Sequence, residues 1–188
     1  VAAMGVGIAR PPRAAGATAF VGARVNAEDL ADPAVTDLLA TTHMTVIVDA
    51  STAAIAGPQL TRLVSQGVEI ANGGWGRSSS LRWERAQDDV AKAATLIHRN
   101  AGCRVVDFVP GRRLDAFDQM WSRSRRERLV MADAVIHPGK MPAQLRAAKV
   151  YLVDGRRSDP AELRVTLVQF ESRLRTAGLS VAPLKKLR

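Results

Sequence analysis

The sequence predicts a single α/β domain in which a parallel sheet is covered by helices. Three observations carry this. Strand-like and helix-like runs alternate from one end to the other. The strand-like runs are almost continuously apolar, as in residues 44–49 (MTVIVD), 104–109 (RVVDFV) and 149–153 (KVYLV), the pattern of strands buried on both faces. No linker, internal repeat or low-complexity segment divides the 188 residues, enough chain for one sizeable core. An open doubly wound sheet and a closed barrel both satisfy this pattern.

Taken in order, residues 1–9 are small and apolar, a short first strand or a frayed end, and the two prolines of residues 10–16 read as a loop. Residues 18–25 (TAFVGARV) form a strand entering the core, and 26–33 a polar connection. Pro33 suits the first turn of a helix through Leu39. After the strand at 44–49, residues 57–66 place Leu60, Leu63 and Val64 at helical spacing, with Gly67 where a helix-ending glycine belongs. Residues 68–71 are the next strand and 73–80 its exit loop. Residues 81–100 are the longest helical pattern, closed by Gly102. The strand at 104–109 stops at Pro110-Gly111. Residues 114–131 then read as an Arg-rich helix, 132–136 as a short strand and 142–148 as a short helix. The strand at 149–153, a helix from Pro160 to Thr176 and a last strand at 179–181 complete the chain before a basic tail.

Composition narrows the classes of function. Apolar residues make up 47% and charged residues 24%, ordinary for a globular protein. No run approaches the ~20 apolar residues of a membrane span, and no secretory signal is visible. Val1 in place of an initiator Met implies a trimmed start, so a leader or membrane anchor would lie outside the chain. Cys103 is alone, which rules out an internal disulfide, and three His with one Cys are a poor supply of metal ligands. The net charge of +9 fits nucleic acid, an anionic cell-envelope polymer or a lipid headgroup; a basic surface without a specific partner fits equally.

In either architecture ligands bind at the C-terminal ends of the strands. The strand exits then matter most, above all residues 67–81 (GVEIANGGWGRSSSL). The order of the pieces resembles the polysaccharide deacetylase (NodB-homology) family. That family carries a strand, a helix and then Gly-His-Glu-Ile-Gly-Asn-His-Gly-Tyr-Ser-His. Here residues 67–77 match at Gly67, Glu69, Ile70, Asn72 and Gly74, with Trp75 at the tyrosine position. Phe108-Val109-Pro110-Gly111 stands in place of the family's Phe-Arg-Pro-Pro-Tyr-Gly, and Tyr151-Leu152-Val153-Asp154 in place of Leu-Leu-His-Asp. The likeness spans roughly residues 20–185 of a single domain covering 1–188. It implies a distorted TIM-like (β/α) barrel, an extracytoplasmic or cell-envelope setting and carbohydrate as ligand.

The departures fall on the chemistry. The family's metal-binding His positions map to Gly73 and Arg77, its motif arginine to Val109 and its late catalytic His to Val153. The Asp-Asp pair after the first strand has no match; Arg24-Val25-Asn26 stands there. Metal-assisted deacetylation needs a metal, a base and an acid. The resemblance with these losses implies a pseudoenzyme with no catalytic residue, metal or cofactor. Its expected partners are a glycan, an anionic wall polymer or a protein, and its expected ligand-binding residues are Asn72, Trp75, Arg77, Arg112, Arg113 and Asp154. The bland alternative has Trp75 filling the old metal site, Arg77 pairing with an acid such as Asp154, and Arg112 and Arg113 solvated. Two other readings remain open: a metal-independent hydrolase using Asp154, His137 or Glu69, and a basic nucleic-acid-binding module. The second is disfavoured because no aromatic stacking platform accompanies Arg123–Arg128 and Lys185–Arg188.

Overall fold

Every apolar strand-like run finds a parallel neighbour. The computed structural model describes residues 8–12, 16–75, 82–111 and 116–188. In chain order the elements are β1 (Ile8–Ala9), β2 (Thr18–Arg24), α1 (Ala27–Ala31), α2 (Pro33–Thr41), β3 (Thr45–Val48), α3 (Ala50–Ile55), α4 (Gly57–Ser65) and β4 (Ile70–Asn72). A helix follows in three pieces, α5 (Arg82–Ala86), a π-helical turn (Gln87–Lys92) and α6 (Ala93–Ala101). Then come β5 (Asp107–Phe108), α7 (Ala116–Arg125), β6 (Arg128–Val130), β7 (Ala134–Ile136), β8 (Val150–Asp154), α8 (Pro160–Thr176) and β9 (Ser180–Ala182). Among the described residues no helix is long and apolar enough to cross a membrane.

The hydrogen-bonded order is β1-β6-β5-β4-β3-β2-β8-β7, with β9 beside the first half of β2. Strands β6 and β7 lie near and at opposite ends of this path, yet only residues 131–133 separate them. Both run parallel to their neighbours. Residues 128–136 therefore act as one bent rail that starts against β5 and finishes against β8, curling the sheet into a distorted TIM-like barrel. The Asp133 N–H donates to the Val150 carbonyl (2.8 Å) and its carboxylate accepts from the Val150 N–H (2.8 Å), which fixes the closure.

Alternation along the strands sorts side chains into two faces. Ala19, Val21 and Ala23 of β2, Val46 and Val48 of β3, and Tyr151 and Val153 of β8 face the helices, meeting Leu39, Leu60, Leu63, Leu167 and Phe170. Phe20, Ile47, Ala71, Val109, Val130 and Leu152 face inward, joined by Ala182, Leu184 and Leu187 from the chain end. The tail read as basic is thus half plug: its leucines are buried while Lys185 and Lys186 stay exposed. Beneath them lies a polar floor. The Thr45 hydroxyl donates to Glu69 Oε2, which also accepts from the Lys185 N–H (2.9 Å). Arg128 grips Asp107 with Nε and Nη2 (2.8 Å each) and donates through Nη1 to the Leu187 carbonyl.

Helix ends follow their sequence signals. Asn26 and Asp29 form a reciprocal capping box at α1. Asp32, Asp49 and Asp159 cap α2, α3 and α8. Two predicted helices are corrected. The helix over 114–131 ends at Arg125, because Arg126 adopts φ +56° and the chain then extends as β6. Residues 142–148 are irregular: the Tyr151 hydroxyl accepts from the Arg146 N–H (2.7 Å), and Ala148 stands at φ +55°. Two short helices, α1 and α3, occupy stretches read as connections.

Leu184 is 1% exposed at the foot of the barrel. Leu184→Ala should cost about 2–5 kcal/mol, read as a lower denaturant midpoint at unchanged slope; a loss typical of a surface change would show that the tail is not a plug.

Candidate functional site

The top of the barrel is built from the inward positions at the strand ends. Counting in twos from Phe20 and Gly22, β2 delivers Arg24 to the interior. By the same phase β3 delivers Asp49, β4 Gly73, β5 Gly111 and β8 Asp154. A single strand of apolar and small residues therefore ends by pushing a guanidinium into the barrel mouth. Arg24 is 2% exposed. Its Nη2 donates to the Val109 carbonyl at 2.6 Å, while its Nε and Nη1 have no hydrogen-bond partner among the described residues.

A second arginine meets it. Arg156, on the turn after β8, donates through Nε (3.0 Å) and Nη2 (2.7 Å) to the two oxygens of Asp154, and its own N–H caps the same carboxylate. That leaves its Nη1 turned towards Gly111. A Cβ built on Gly111 would stand 2.6 Å from Arg24 Nη1 and 2.9 Å from Arg156 Nη1. Two guanidiniums thus converge on one backbone position, where a larger residue would have to displace at least one of them. Burial and the charge of Arg156 push the Arg24 pKa down to about 10, against the pull of Asp154 and Asp49, so Arg24 remains a cation at neutral pH. Burial would raise the Asp154 carboxyl, but bonding to Arg156 outweighs it and holds Asp154 below the usual range. Asp49 is committed to capping, accepting from the Thr52 N–H and the Ser51 hydroxyl (2.7 Å each).

The sequence-predicted residues separate. Asp154 lies at the mouth and lines a cavity of about 1050 Å³ with His137, Lys140, Arg156, Arg157, Asp159, Glu162, Thr166 and Gln169. Asn72 lies on the other face of its strand, fully buried towards the helices. Its amide nitrogen is near the Asp89 (3.0 Å) and Val90 (3.1 Å) carbonyls of the π-helical turn and Glu127 Oε2 (3.3 Å), and its oxygen accepts from the Gly74 N–H (2.9 Å). The motif's asparagine thus holds the loop and the helix together. Trp75 is half-buried, its N–H bonded to Asp89 Oδ1 (3.0 Å). Arg77, Arg112 and Arg113 lie outside the described residues. Glu69 sits at the opposite end of the barrel from the mouth, on the polar floor. Sequence reasoning passed over Arg24 and Arg156. The legible signal for Arg24 was a charge in the inward phase of an otherwise apolar strand.

Solved structures resemble this architecture at low identity. No protein-family model and no curated protein sequence matches the chain. Bc1960, a peptidoglycan N-acetylglucosamine deacetylase, aligns at TM-score 0.75 and 15% identity over 94% of this chain and 89% of its own. The fold is that of the family 4 carbohydrate esterases. PdaA of Bacillus subtilis, another family 4 esterase, aligns at TM-score 0.72 and 13% identity, covering 96% of this chain and 83% of its own. BA3943 of Bacillus anthracis, a family 4 pseudoenzyme, aligns at 0.74 and 13% over 91% of this chain, which spans 65% of that protein; a BA3943 mutant is described as having restored enzymatic activity.

The family 4 fold raises the question of a divalent metal, and the donor set here does not fit one. Among the described residues no group of three His, Cys, Asp or Glu side chains converges. At the mouth Gly73 offers no side chain, Asp154 is held through both oxygens by Arg156, Asp49 caps α3 through Oδ1, and a guanidinium that remains charged at neutral pH is buried beside them.

Two buried glutamates give the fold a pH signature, to which Asp29, pushed up by burial to about 6, adds in the same direction. Burial pushes Glu69 to about 7, aided by Asp107 and opposed by bonds from Thr45 and the Lys185 N–H. Burial also pushes Glu127 to about 7, opposed by its bond from Asn72 and by Arg125. Both ordinarily ionise near 4.5, so the fold favours their protonated forms. Their contribution is complete below about pH 4.5 and is lost as pH rises through 7. Denaturant midpoints should fall between pH 5 and 7.5, and Glu127→Gln or Glu69→Gln should each flatten that fall; an unchanged slope in both variants would contradict the assignment.

Proposed function

We propose that this chain is a catalytically inactive domain of the family 4 esterase fold that serves the cell envelope as a binding or scaffolding module. Its ligand would be a glycan, an anionic wall polymer or a protein partner, met outside the cytoplasm. One observation carries the reading. Arg24, a buried cation, stands where the family resemblance puts the Asp-Asp pair that metal-assisted deacetylation uses, and Asp154 is neutralised by Arg156. The likeness in fold to BA3943, a pseudoenzyme, supports it, as does the net charge of +9.

A metal-independent hydrolase finds less support. His137 and Asp154 line the same cavity, but a carboxylate held below its usual range by Arg156 is a poor general base. The proposal expects no bound zinc by elemental analysis, no turnover of acetylated amino-sugar oligomers, and retention of the chain on isolated wall polymer. Zinc at one equivalent with turnover would overturn it.

A further inference from the structure

We propose that the barrel mouth is an oxyanion site, in which Arg24 and Arg156 share a phosphate or carboxylate group. The identity of the larger ligand rests on the wall-polymer reading above; the site itself does not. Three features of the geometry converge. Arg24 is buried with two donor nitrogens, Nε and Nη1, unpartnered among the described residues, a costly arrangement unless an acceptor arrives. The Nη1 of Arg156 is aimed at the same point beside Gly111, and its other donors are fixed by Asp154. Two like charges held this close repel, and a shared oxyanion turns that repulsion into two charge-assisted bonds.

The entrance is also present. Arg156 is 43% exposed at its side chain and lines the cavity of about 1050 Å³, whose rim carries Lys140 and Arg157. Asp159 and Glu162 share that lining, and Arg24, 2% exposed, lies outside it, so an anion entering there meets Arg156 and reaches Arg24 only as the Arg156 guanidinium gives way. Asp154 and Asp49 limit the site's charge. Asp154 is turned onto Arg156 Nε and Nη2, and Asp49 onto α3, so neither carboxylate takes the convergent Nη1 donors. The ligand chemistry is therefore inverted: the mouth selects a small terminal or bridging oxyanion and rejects metal.

The test titrates the whole chain with inorganic phosphate and, separately, acetate, at constant ionic strength made up with chloride. Side-chain ¹⁵N shifts of the arginines and the melting temperature report binding. At least one anion should saturate and shift Arg156 resonances. Arg156→Ala should weaken that binding about tenfold or more, and Arg164→Ala, which removes the same charge from an exposed position on α8, should leave it unchanged. Preference for phosphate would point to a phosphodiester polymer, and preference for acetate to a carboxylated one. No saturable response to either anion, or an equal loss in both variants, would overturn the site. Retention on wall polymer by a chain that ignores both anions would sink the site alone. Saturable anion binding without wall retention would sink the larger reading and leave the site standing.

Discussion

The structure turns on one buried cation. Arg24 ends a strand whose other inward residues, Phe20 and Gly22, are apolar or absent in bulk, and it is 2% exposed. A lone charge there would be far too costly to bury. Its surroundings are arranged to tolerate it: the Val109 carbonyl accepts from Nη2, Asp154 and Asp49 stand near enough to favour the charged form, and Gly111 withholds a side chain from the crowded point. The neighbouring strand exits answer to that guanidinium.

The barrel is consequently polar at both ends and apolar between. At the foot, Asp107, Arg128, Glu69 and Thr45 hold the returning chain end, so the last residues seal the interior. In the middle, Ile47, Ala71, Val109, Val130 and Leu152 pack without a polar side chain among them. Charge faces open space at both ends: Glu69, Lys185 and Lys186 line a cavity at the foot, and Asp154 and Arg156 line a larger one at the mouth. The π-helical turn belongs to the same economy of partners. The Asp89 and Val90 carbonyls of its irregular backbone accept from the Asn72 amide, which ties β4 to the helix layer and shapes the loop leading to Trp75.

Much of this was legible in the sequence. The continuous apolar runs became parallel strands, and the motif residues around Glu69 and Asn72 pointed to the fold that solved structures share. What escaped was set by tertiary context. Arg128-Leu129-Val130 extends a helical pattern locally, yet pairing with β5 and β1 makes it a strand. Leu184 and Leu187 among basic residues look solvated until the barrel foot is known to be open. Asn72 reads as a cleft residue from its motif, but strand alternation turns it to the helices. Arg156 follows Asp154 by only two residues, but its approach to Gly111 and Arg24 is set by folding and leaves no local signal.

The central claim is that Arg24 is a fixed, buried guanidinium at the barrel mouth. Arginine side-chain ¹⁵N NMR tests it most directly. The account predicts one Arg spin system, removed by Arg24→Lys, with resolved Nη signals and Nε–H exchange far slower than that of the exposed arginines. A single averaged Nη signal with fast solvent exchange for Arg24 would contradict it.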